Sequence, residues 1–353
     1  MHHVSETEVR LLAPEDLVAL LRAQPHLHRE MREPSFFCSA DWLEAVLTET
    51  PHEAIFVLTV FQNSRIIGVL PLERVRNRFG GSDLHYLGRR FDPDPLGFIC
   101  PASRLEECVD KSLRFLHGRS DWDRVILAFL LPAEASLWDP SPVRQTVAPR
   151  LALAKNIDGV LSQFDKKTRY KVRSAVRRAE KAGAQIAISH TDDEKAKTLD
   201  SLFRLHRARS SSIGRTSTIL NDRAQRFHHT VVRRCPQAHL FSLNMGNRPI
   251  AVIYGFLQNN YFAYYQVAHD PSYSDLSPGS VLLTHVIDWC CSKGLQKLDF
   301  LQGDERYKFR WASEVQPLAR AMLVAHRPAI EFLTAAERIG AGAWHKLRTL
   351  LDR

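Results

Sequence analysis

The chain has 353 residues, of which 44% are hydrophobic and 25% are charged, and its formal net charge is +9. This length suggests about two domains, and this composition excludes a collagen-like or a disordered chain. The positive charge favours anionic partners such as phosphorylated cofactors, nucleic acid or acidic lipid headgroups. No apolar run approaches the ~18 residues of a membrane span, and the first residues lack the apolar core of a secretory signal. We therefore expect a cytoplasmic protein.

The six cysteines are scattered along the chain, and no two of them have the C-x-x-C spacing of a zinc or redox site. The adjacent pair Cys290–Cys291 falls in a predicted helix, where the two side chains point about 100° apart and cannot chelate one ion well. We expect six reduced, mostly buried thiols and no bound metal.

In the first half of the chain, hydrophobic periodicity and turn residues predict the element order β-α-α-β-β-β-α-β. The predicted strands are Val9–Ala13, Ile55–Phe61, Ile66–Arg74, Leu84–Leu87 and Arg124–Phe129, and the predicted helices are Pro14–Arg22, Asp41–Leu47 and Ala102–His117. Ser39 is a favourable N-cap for the second helix. Residues 62–65, between the second and third strands, are a hairpin signal.

The segment Lys166–Lys181, between the two halves, is predicted to form one helix that ends at Gly183. Its apolar stripe consists of Tyr170, Val172, Ala175, Val176 and Ala179. The remaining surface carries eight Lys and Arg residues against the single carboxylate of Glu180. Such a basic face is either solvated, as charge runs on helices usually are, or binds tRNA, an acidic glycan or lipid headgroups.

The second half repeats the element order of the first, which predicts a duplicated fold. Its predicted strands are Ala184–Ser189, His239–Leu243, Pro249–Leu257, Tyr261–Val267 and Lys297–Leu301, and its predicted helices are Asp192–Arg209, Asn221–Arg234 and Ser280–Ser292. Tight turns are expected at residues 246–247 and 259–260. A further amphipathic helical stretch is expected over Ala329–Arg353.

The signatures of several common enzyme classes do not occur in the sequence. There is no G-x-x-x-x-G-K-[ST], G-x-G-x-x-G, H-E-x-x-H or G-x-S-x-G. The pair His228–His229 lies on a predicted helix, where adjacent side chains cannot share a metal ion. P-loop nucleotide chemistry, dinucleotide-dependent dehydrogenation and zinc hydrolysis are therefore disfavoured.

The stretch between Tyr261 and Trp311 is the most informative part of the sequence. An aromatic-rich strand leads into a loop, and Ser277–Pro278–Gly279–Ser280 opens a helix. Unpaired N–H groups at a helix N-terminus, surrounded by small residues, form an anion site suited to a pyrophosphate. The next strand ends near Asp299, and acid, phenol and amine side chains follow at positions 304–308. This arrangement predicts an acyl-transfer site.

The run YYQVAHDPSYSDLSPGSVLLTHVIDWCCSKGLQKLDFLQGDERYKFRWASE resembles the GNAT-superfamily acyltransferases of the CelD type, associated with cellulose and exopolysaccharide synthesis. It also resembles their relatives, the FemABX aminoacyl transferases. FCSADWLEAVL and KKTRYKVRSAVRRAEKAG fit the same family, so the resemblance covers roughly Leu11–Val324. It is sharpest at Ser277–Pro278–Gly279 and at Gly303-x-Glu305-x-Tyr307–Lys308.

The resemblance implies an α/β (α+β) chain with tandem GNAT-like folds, each a mixed, mostly antiparallel sheet flanked by helices. The implied division is an N-terminal GNAT-like domain at 1–155, a basic interdomain helix at 156–183, a catalytic GNAT domain at 184–327 and a helical tail at 328–353. The cofactor implied is acetyl-CoA or another acyl-CoA.

The resemblance also implies roles for individual residues. The acyl thioester would lie along the splayed strand Tyr261–Ala268, with N–H groups near Val267 and Ala268 holding the carbonyl oxygen. The cofactor pyrophosphate would bind at Ser277, Pro278, Gly279 and Ser280. This loop has one glycine where standard GNAT enzymes have Q/R-x-x-G-x-G/A, and FemABX relatives use aminoacyl-tRNA, so both donors stay open.

For catalysis, Tyr307 is the candidate acid, Asp304 or Glu305 the candidate base or ammonium ligand, and Lys308 the candidate electrostatic group. Asp299, Gln302 and Arg310 are candidate substrate contacts. Each has a structural alternative: Tyr307 lies one helical turn before Trp311 and could pack in the core, and Asp299 could be a cap. His269 and His285 are expected to be structural.

The function expected from these features is an N-acyltransferase that moves an acyl group from acyl-CoA to an amine of a small or sugar-linked acceptor in polysaccharide or cell-envelope biosynthesis. Peripheral association with a membrane-bound synthase would fit that role. One alternative is a FemABX-like transferase that uses aminoacyl-tRNA, the one nucleic acid expected as a partner. The other is a non-catalytic GNAT-fold module in a synthase complex.

Overall fold

The computed structural model describes residues 6–78, 80–213, 218–325 and 330. The strands are β1 Thr7–Leu12, β2 Ile55–Gln62, β3 Arg65–Arg76, β4 Ser82–Tyr86, β5 Arg124–Leu130, β6 Val143–Ala152, β7 Ala184–Ile188, β8 Ala238–Met245, β9 Arg248–Gln258, β10 Tyr261–His269, β11 Lys297–Asp299 and β12 Glu314–Val324. The helices are α1 Asp16–Ala23, α2 His26–Arg29, α3 Ala40–Thr48, α4 Leu105–His117, α5 Pro132–Trp138, α6 Ile157–Leu161, α7 Lys166–Lys181, α8 Asp192–Ile213, α9 Asp222–Arg234, α10 Pro278–Ser292 and α11 Arg306–Phe309.

The local signals of the sequence place most of these elements. Side chains of Ser39, Asp165 and Asn221 accept the hydrogen bonds that cap α3, α7 and α9. The predicted hairpin turns at residues 62–65, 246–247 and 259–260 join β2 to β3, β8 to β9 and β9 to β10. The predicted stretch Ala329–Arg353 lies outside the described residues, apart from Ile330.

The two halves repeat one order of elements, as predicted, and the described strands form a single mixed, mostly antiparallel sheet flanked by helices. Its strand order is β1-β2-β3-β4-β5-β12-β6-β11-β10-β9-β8-β7. The pairs β4–β5 and β10–β11 are parallel and occupy equivalent positions in the two halves. This arrangement confirms the predicted fold class.

The last strand of each half is exchanged with the other half. Strand β6 ends the N-terminal half but pairs with β11, for example Leu151 with Leu298. Strand β12 ends the C-terminal half but pairs with β5, for example Leu323 with Val125. The two exchanged strands also pair with each other, so the sheet runs through both halves without a break. Neither β6 nor β12 was predicted from the sequence.

Side chains from both halves share a continuous aromatic core. Phe36 stacks on Phe256 with ring centroids 4.2 Å apart, and Phe91 stacks on Phe227 at 3.7 Å. A second core lies between the sheet of the C-terminal half and helices α6, α7 and α10. The six cysteines are all buried free thiols, as expected. Every helix in the described ranges is too short or too polar to cross a membrane.

A buried ion pair holds β11 on β6. The Arg150 Nε atom lies 2.8 Å from the Asp299 carboxylate, and both residues are buried. Arg150 also reaches Glu33 at 3.2 Å, and Glu33 bonds Lys297 at 2.6 Å. The other Asp299 oxygen accepts the N–H of Leu301, whose φ of 57° is in the left-handed region.

Removal of the Asp299 carboxylate should therefore destabilise the pairing of β11 with β6. We expect Asp299→Ala to lower the free energy of unfolding by about 3–5 kcal/mol, because the Arg150 charge stays buried with one carboxylate lost. Urea denaturation measures this change. The double variant Asp299→Ala/Arg150→Met should recover part of the loss, and a double variant less stable than the single one would contradict the buried-charge explanation.

Candidate active site

Strands β10 and β11 pair over only three residues and then separate. Tyr261, Phe262 and Ala263 pair with residues 297–299, after which β10 continues alone to His269. The chain after Asp299 instead turns toward β6, where the Phe300 N–H donates to the Pro149 carbonyl at 3.0 Å. A register shift against β9 between Tyr264 and Gln266 bends β10 at this point. The result is a V-shaped opening in the sheet.

The first turn of α10 lies at this opening. Ser277 precedes the helix with φ 53° and ψ 50°, and Pro278 occupies the first helical position. The N–H groups of Ser280 and Val281 donate to the Ser277 carbonyl, whereas the Gly279 N–H has no backbone partner among the described residues. The helix therefore presents a backbone donor and the positive end of its dipole to the opening.

Two adjoining cavities lie at the opening. The first, of about 340 Å³, is lined by Val267, His269, Ser277, Pro278, Gly279, Ser280, Tyr264, Tyr307, Arg209, Arg310, Ser274, Leu283 and Trp311. The second, of about 390 Å³, shares Ser277, Ser280, Tyr307, Arg310 and Trp311 with the first. We call the first the strand cavity, because residues of β10 line it, and the second the helix cavity, because residues of α7 line it.

The structure brings part of the predicted site together in the strand cavity. Val267, the four residues 277–280, Tyr307 and Arg310 all line it. Ala268 is fully buried and does not line it. Asp304 and Glu305 are exposed outside the lining, and Gln302 lies beyond it. Asp299 is 1% exposed and bound to Arg150.

Lys308 is buried and holds the loop between β11 and α11. Its Nζ atom lies 3.1 Å from a Glu305 oxygen and donates to the Gln302 carbonyl. Gly303 has φ 131°, and a Cβ atom there would lie 2.1 Å from the Glu305 carboxylate. The loop therefore requires glycine at 303. Because the Lys308 charge is already paired, its role at the cavity is to hold this loop and the adjacent Tyr307 in position.

Two tyrosines face each other across the strand cavity. The ring centroids of Tyr264 and Tyr307 are 6.5 Å apart, and the ring planes are tilted by 57°. Burial raises the pKa of both phenols above their usual value, and the Glu305 carboxylate raises that of Tyr307 further. Both hydroxyls therefore stay protonated at neutral pH, and Tyr307 can donate a proton to an atom in the cavity.

The sequence analysis missed Arg209 and treated His269 as structural. His269 ends β10, and a Cβ atom at Gly279 would lie 3.5 Å from its Nδ1 atom, so the ring lies at the helix mouth. Burial, and then the Arg209 guanidinium, lower the pKa of His269, while Asp270 opposes them. The position of His269 at the end of the aromatic-rich strand, eight residues before the S-P-G loop, was the available signal.

The basic helix α7 matches its predicted bounds, and its contacts with the second core come from Val172, Ala175, Val176 and Ala179. Tyr170 was wrongly placed in the buried stripe, since it is 68% exposed. It lines the rim of the helix cavity together with Lys171 and Arg178. Within the described residues, no group of three or more His, Cys, Asp or Glu side chains is arranged to hold a metal ion.

Residues 166–309 match the sequence model of the acetyltransferase (GNAT) domain. The fold is similar to the crystal structure of FemX, with a TM-score of 0.65, 10% identity, and coverage of 92% of this chain and 99% of that one. It is also similar to the C-terminal domain assigned to a lysylphosphatidylglycerol synthetase of Agrobacterium fabrum (TM-score 0.59, 10% identity, 92% and 96% covered). The L-PGS of Bacillus licheniformis is similar as well (TM-score 0.52, 10% identity, 76% and 85% covered).

No curated protein matches the chain significantly. The structural similarities, at 10% identity, establish the fold over nearly the whole chain. The matched residues include α7, β10, α10 and β11, which border the opening. Residues 166–309 therefore match a GNAT acetyltransferase domain, and this match supports an acyltransferase enzyme.

The electrostatic coupling between Arg209 and His269 can be tested directly. We expect Arg209→Gln to raise the pKa of His269, because the guanidinium disfavours the charged imidazolium. NMR titration of the histidine ring signals measures this. His285 is the matched control, because burial also lowers its pKa but its charged neighbours are Glu180 and Asp288. An unchanged His269, or an equal shift of His285, would contradict the coupling.

Proposed function

We propose that the protein transfers an acyl group from acyl-CoA to an amine. The observation that carries this proposal is the V-shaped opening between β10 and β11, with the first turn of α10 on one wall and Tyr307 on another. A thioester lying along β10 would place its carbonyl against the bend at residues 264–266. The diphosphate of the cofactor would then reach the Gly279 N–H, where the helix dipole favours anions.

In the proposed reaction the amine nitrogen attacks the thioester carbonyl carbon, and the C–S bond breaks as the new C–N bond forms. The thiolate released takes the proton of Tyr307, which regains a proton from solvent after the thiol leaves. Glu305, which is exposed outside the cavity lining and lies 3.1 Å from Lys308, is our candidate to accept the amine proton through an intervening water molecule. Lys308 is a positioning residue in this scheme, because its Nζ atom is occupied by Glu305 and Gln302.

For the acceptor we propose an amino-sugar or similar small amine of polysaccharide or envelope biosynthesis, as the CelD-type resemblance implies. Association with a membrane-bound synthase belongs to the same proposal. What supports an amine is the chemistry of the domain class, since a neutral amine attacks a thioester directly without a covalent enzyme intermediate.

A second candidate is aminoacyl transfer from charged tRNA. Two observations favour it: the fold similarity to FemX over 92% of the chain, and the cationic helix α7 beside the helix cavity. Both donors present an activated acyl carbonyl attached to a phosphorylated adenosine carrier, so the strand cavity suits either of them. Their carriers differ greatly in size, and binding measurements separate them.

Calorimetric titration with acetyl-CoA and longer acyl-CoAs tests the preferred donor. We expect Ser280→Glu to weaken acyl-CoA binding about tenfold or more, because a carboxylate at the helix mouth repels the diphosphate by ~1.4 kcal/mol or more. Ser292→Glu is the matched control, since it adds the same charge to α10 about 18 Å away. Equal weakening by both variants, or no binding of any acyl-CoA by the unchanged protein, would contradict the proposal.

A further inference from the structure

The helix cavity is bordered by three cationic side chains, which come from two different elements. Lys171 and Arg178 are seven residues apart on α7, which places them two turns apart on one face of the helix. Arg310 follows α11 and lines the same cavity. Ser277 and Ser280, at the mouth of α10, line it as well.

These three cations have no carboxylate partner within the described residues. The ion pairs of α7 and α11 are Arg173 with Asp158, at 2.8 Å, and Lys308 with Glu305. Arg178 makes one neutral contact, from its Nη1 atom to the Ser174 hydroxyl at 3.1 Å. Three like charges around one cavity of about 390 Å³ repel each other. Their shared positive potential favours an anion bound among them.

Two aromatic side chains belong to the same cavity. Trp311 is buried at its base and is fixed by an edge contact to Phe164, with ring centroids 5.7 Å apart. Tyr170 lines this cavity with 68% of its surface exposed. An exposed aromatic ring next to cations is suited to stacking on a nucleobase whose sugar carries a phosphate.

We propose that the helix cavity binds the phosphorylated adenosine end of the acyl donor. Lys171, Arg178 and Arg310 would surround the ribose phosphate, and Tyr170 would contact the base. The inference rests on the proposed function, because the same molecule must place its diphosphate at Ser277–Ser280, which both cavities share. A cavity of this volume lies in the range of about 300–1,000 Å³ that holds one small ligand. It therefore fits the 3′-phosphorylated adenosine of coenzyme A rather than folded RNA.

The test compares coenzyme A with 3′-dephospho-coenzyme A, two ligands that differ by the one phosphate in question. We expect the full-length protein to bind coenzyme A at least about tenfold more tightly, the factor that one charge-assisted contact provides. In Lys171→Ala/Arg178→Ala this ratio should fall to near one, with dephospho-coenzyme A binding within about twofold of the unchanged protein. Calorimetry gives the affinities, and thermal unfolding checks that the variant is folded.

The matched control is Lys166→Ala/Arg177→Ala, which removes two exposed cations of the same helix that do not line the cavity. This control should keep the ratio of the unchanged protein. A ratio that survives in Lys171→Ala/Arg178→Ala would overturn the assignment. Equal weakening of both ligands would also overturn it, since it would show a general charge effect without a phosphate contact.

The failure of the donor proposal would look different. If the unchanged protein binds neither coenzyme A nor its dephospho form, the proposed acyl-CoA donor is wrong and the helix-cavity assignment is wrong with it. If charged tRNA binds instead, and Lys171→Ala/Arg178→Ala weakens that binding, the cations serve RNA. If coenzyme A binds, and its affinity relative to dephospho-coenzyme A is unchanged in Lys171→Ala/Arg178→Ala, the donor proposal stands and the adenosine site alone is refuted.

Discussion

The exchange of the last strands, β6 and β12, is the constraint on which the rest of the structure depends. Because β6 pairs with β11, the Arg150–Asp299 ion pair can hold the end of β11 away from β10. The two parallel strands therefore separate after three residue pairs, and the cavities form where they part. A break at this junction would change the active site as well as the stability of the protein.

The charges around the opening divide into two sets. Two carboxylates near it are bound to buried cations: Asp299 to Arg150, and Glu305 to Lys308. Three cations that line the helix cavity, Lys171, Arg178 and Arg310, have no such partner in the part of the chain that the structure describes. Backbone dipoles of α10 add to the same sign of potential. This distribution favours a polyanionic carrier in the cavities, in agreement with the net charge of +9 and with the proposed donor.

The parts of the fold that could be predicted from sequence are those encoded by neighbouring residues. Asn221 caps α9 through a side-chain bond three residues away, and the two-residue turns fix their hairpins. Strands β6 and β12 were missed because each contains a proline, Pro149 and Pro317, which normally argues against a central strand. Their outer ends are also polar, and their pairing is with each other and with distant strands.

The same distinction applies to the site. The helix mouth at 277–280 is a local motif, so the sequence could identify it. The partner of Asp299, by contrast, is 149 residues away, and that of Lys308 includes a loop carbonyl whose position depends on Gly303. The spacing of Tyr170 matches the apolar stripe of α7. Spacing alone cannot show whether the protein core or a cavity lies beside that position. Arg209 reaches the cavity from α8, an element without any motif.

The proposed place of the donor between β10 and β11 is tested most directly by hydrogen–deuterium exchange with and without a non-hydrolysable acyl-CoA. The account predicts slower exchange of backbone amides at residues 264–269 and 278–283, where binding would suppress local opening. The equivalent strands β4 and β5 of the N-terminal half should be unchanged. Protection at β4 and β5, with none at β10 and α10, would contradict the account.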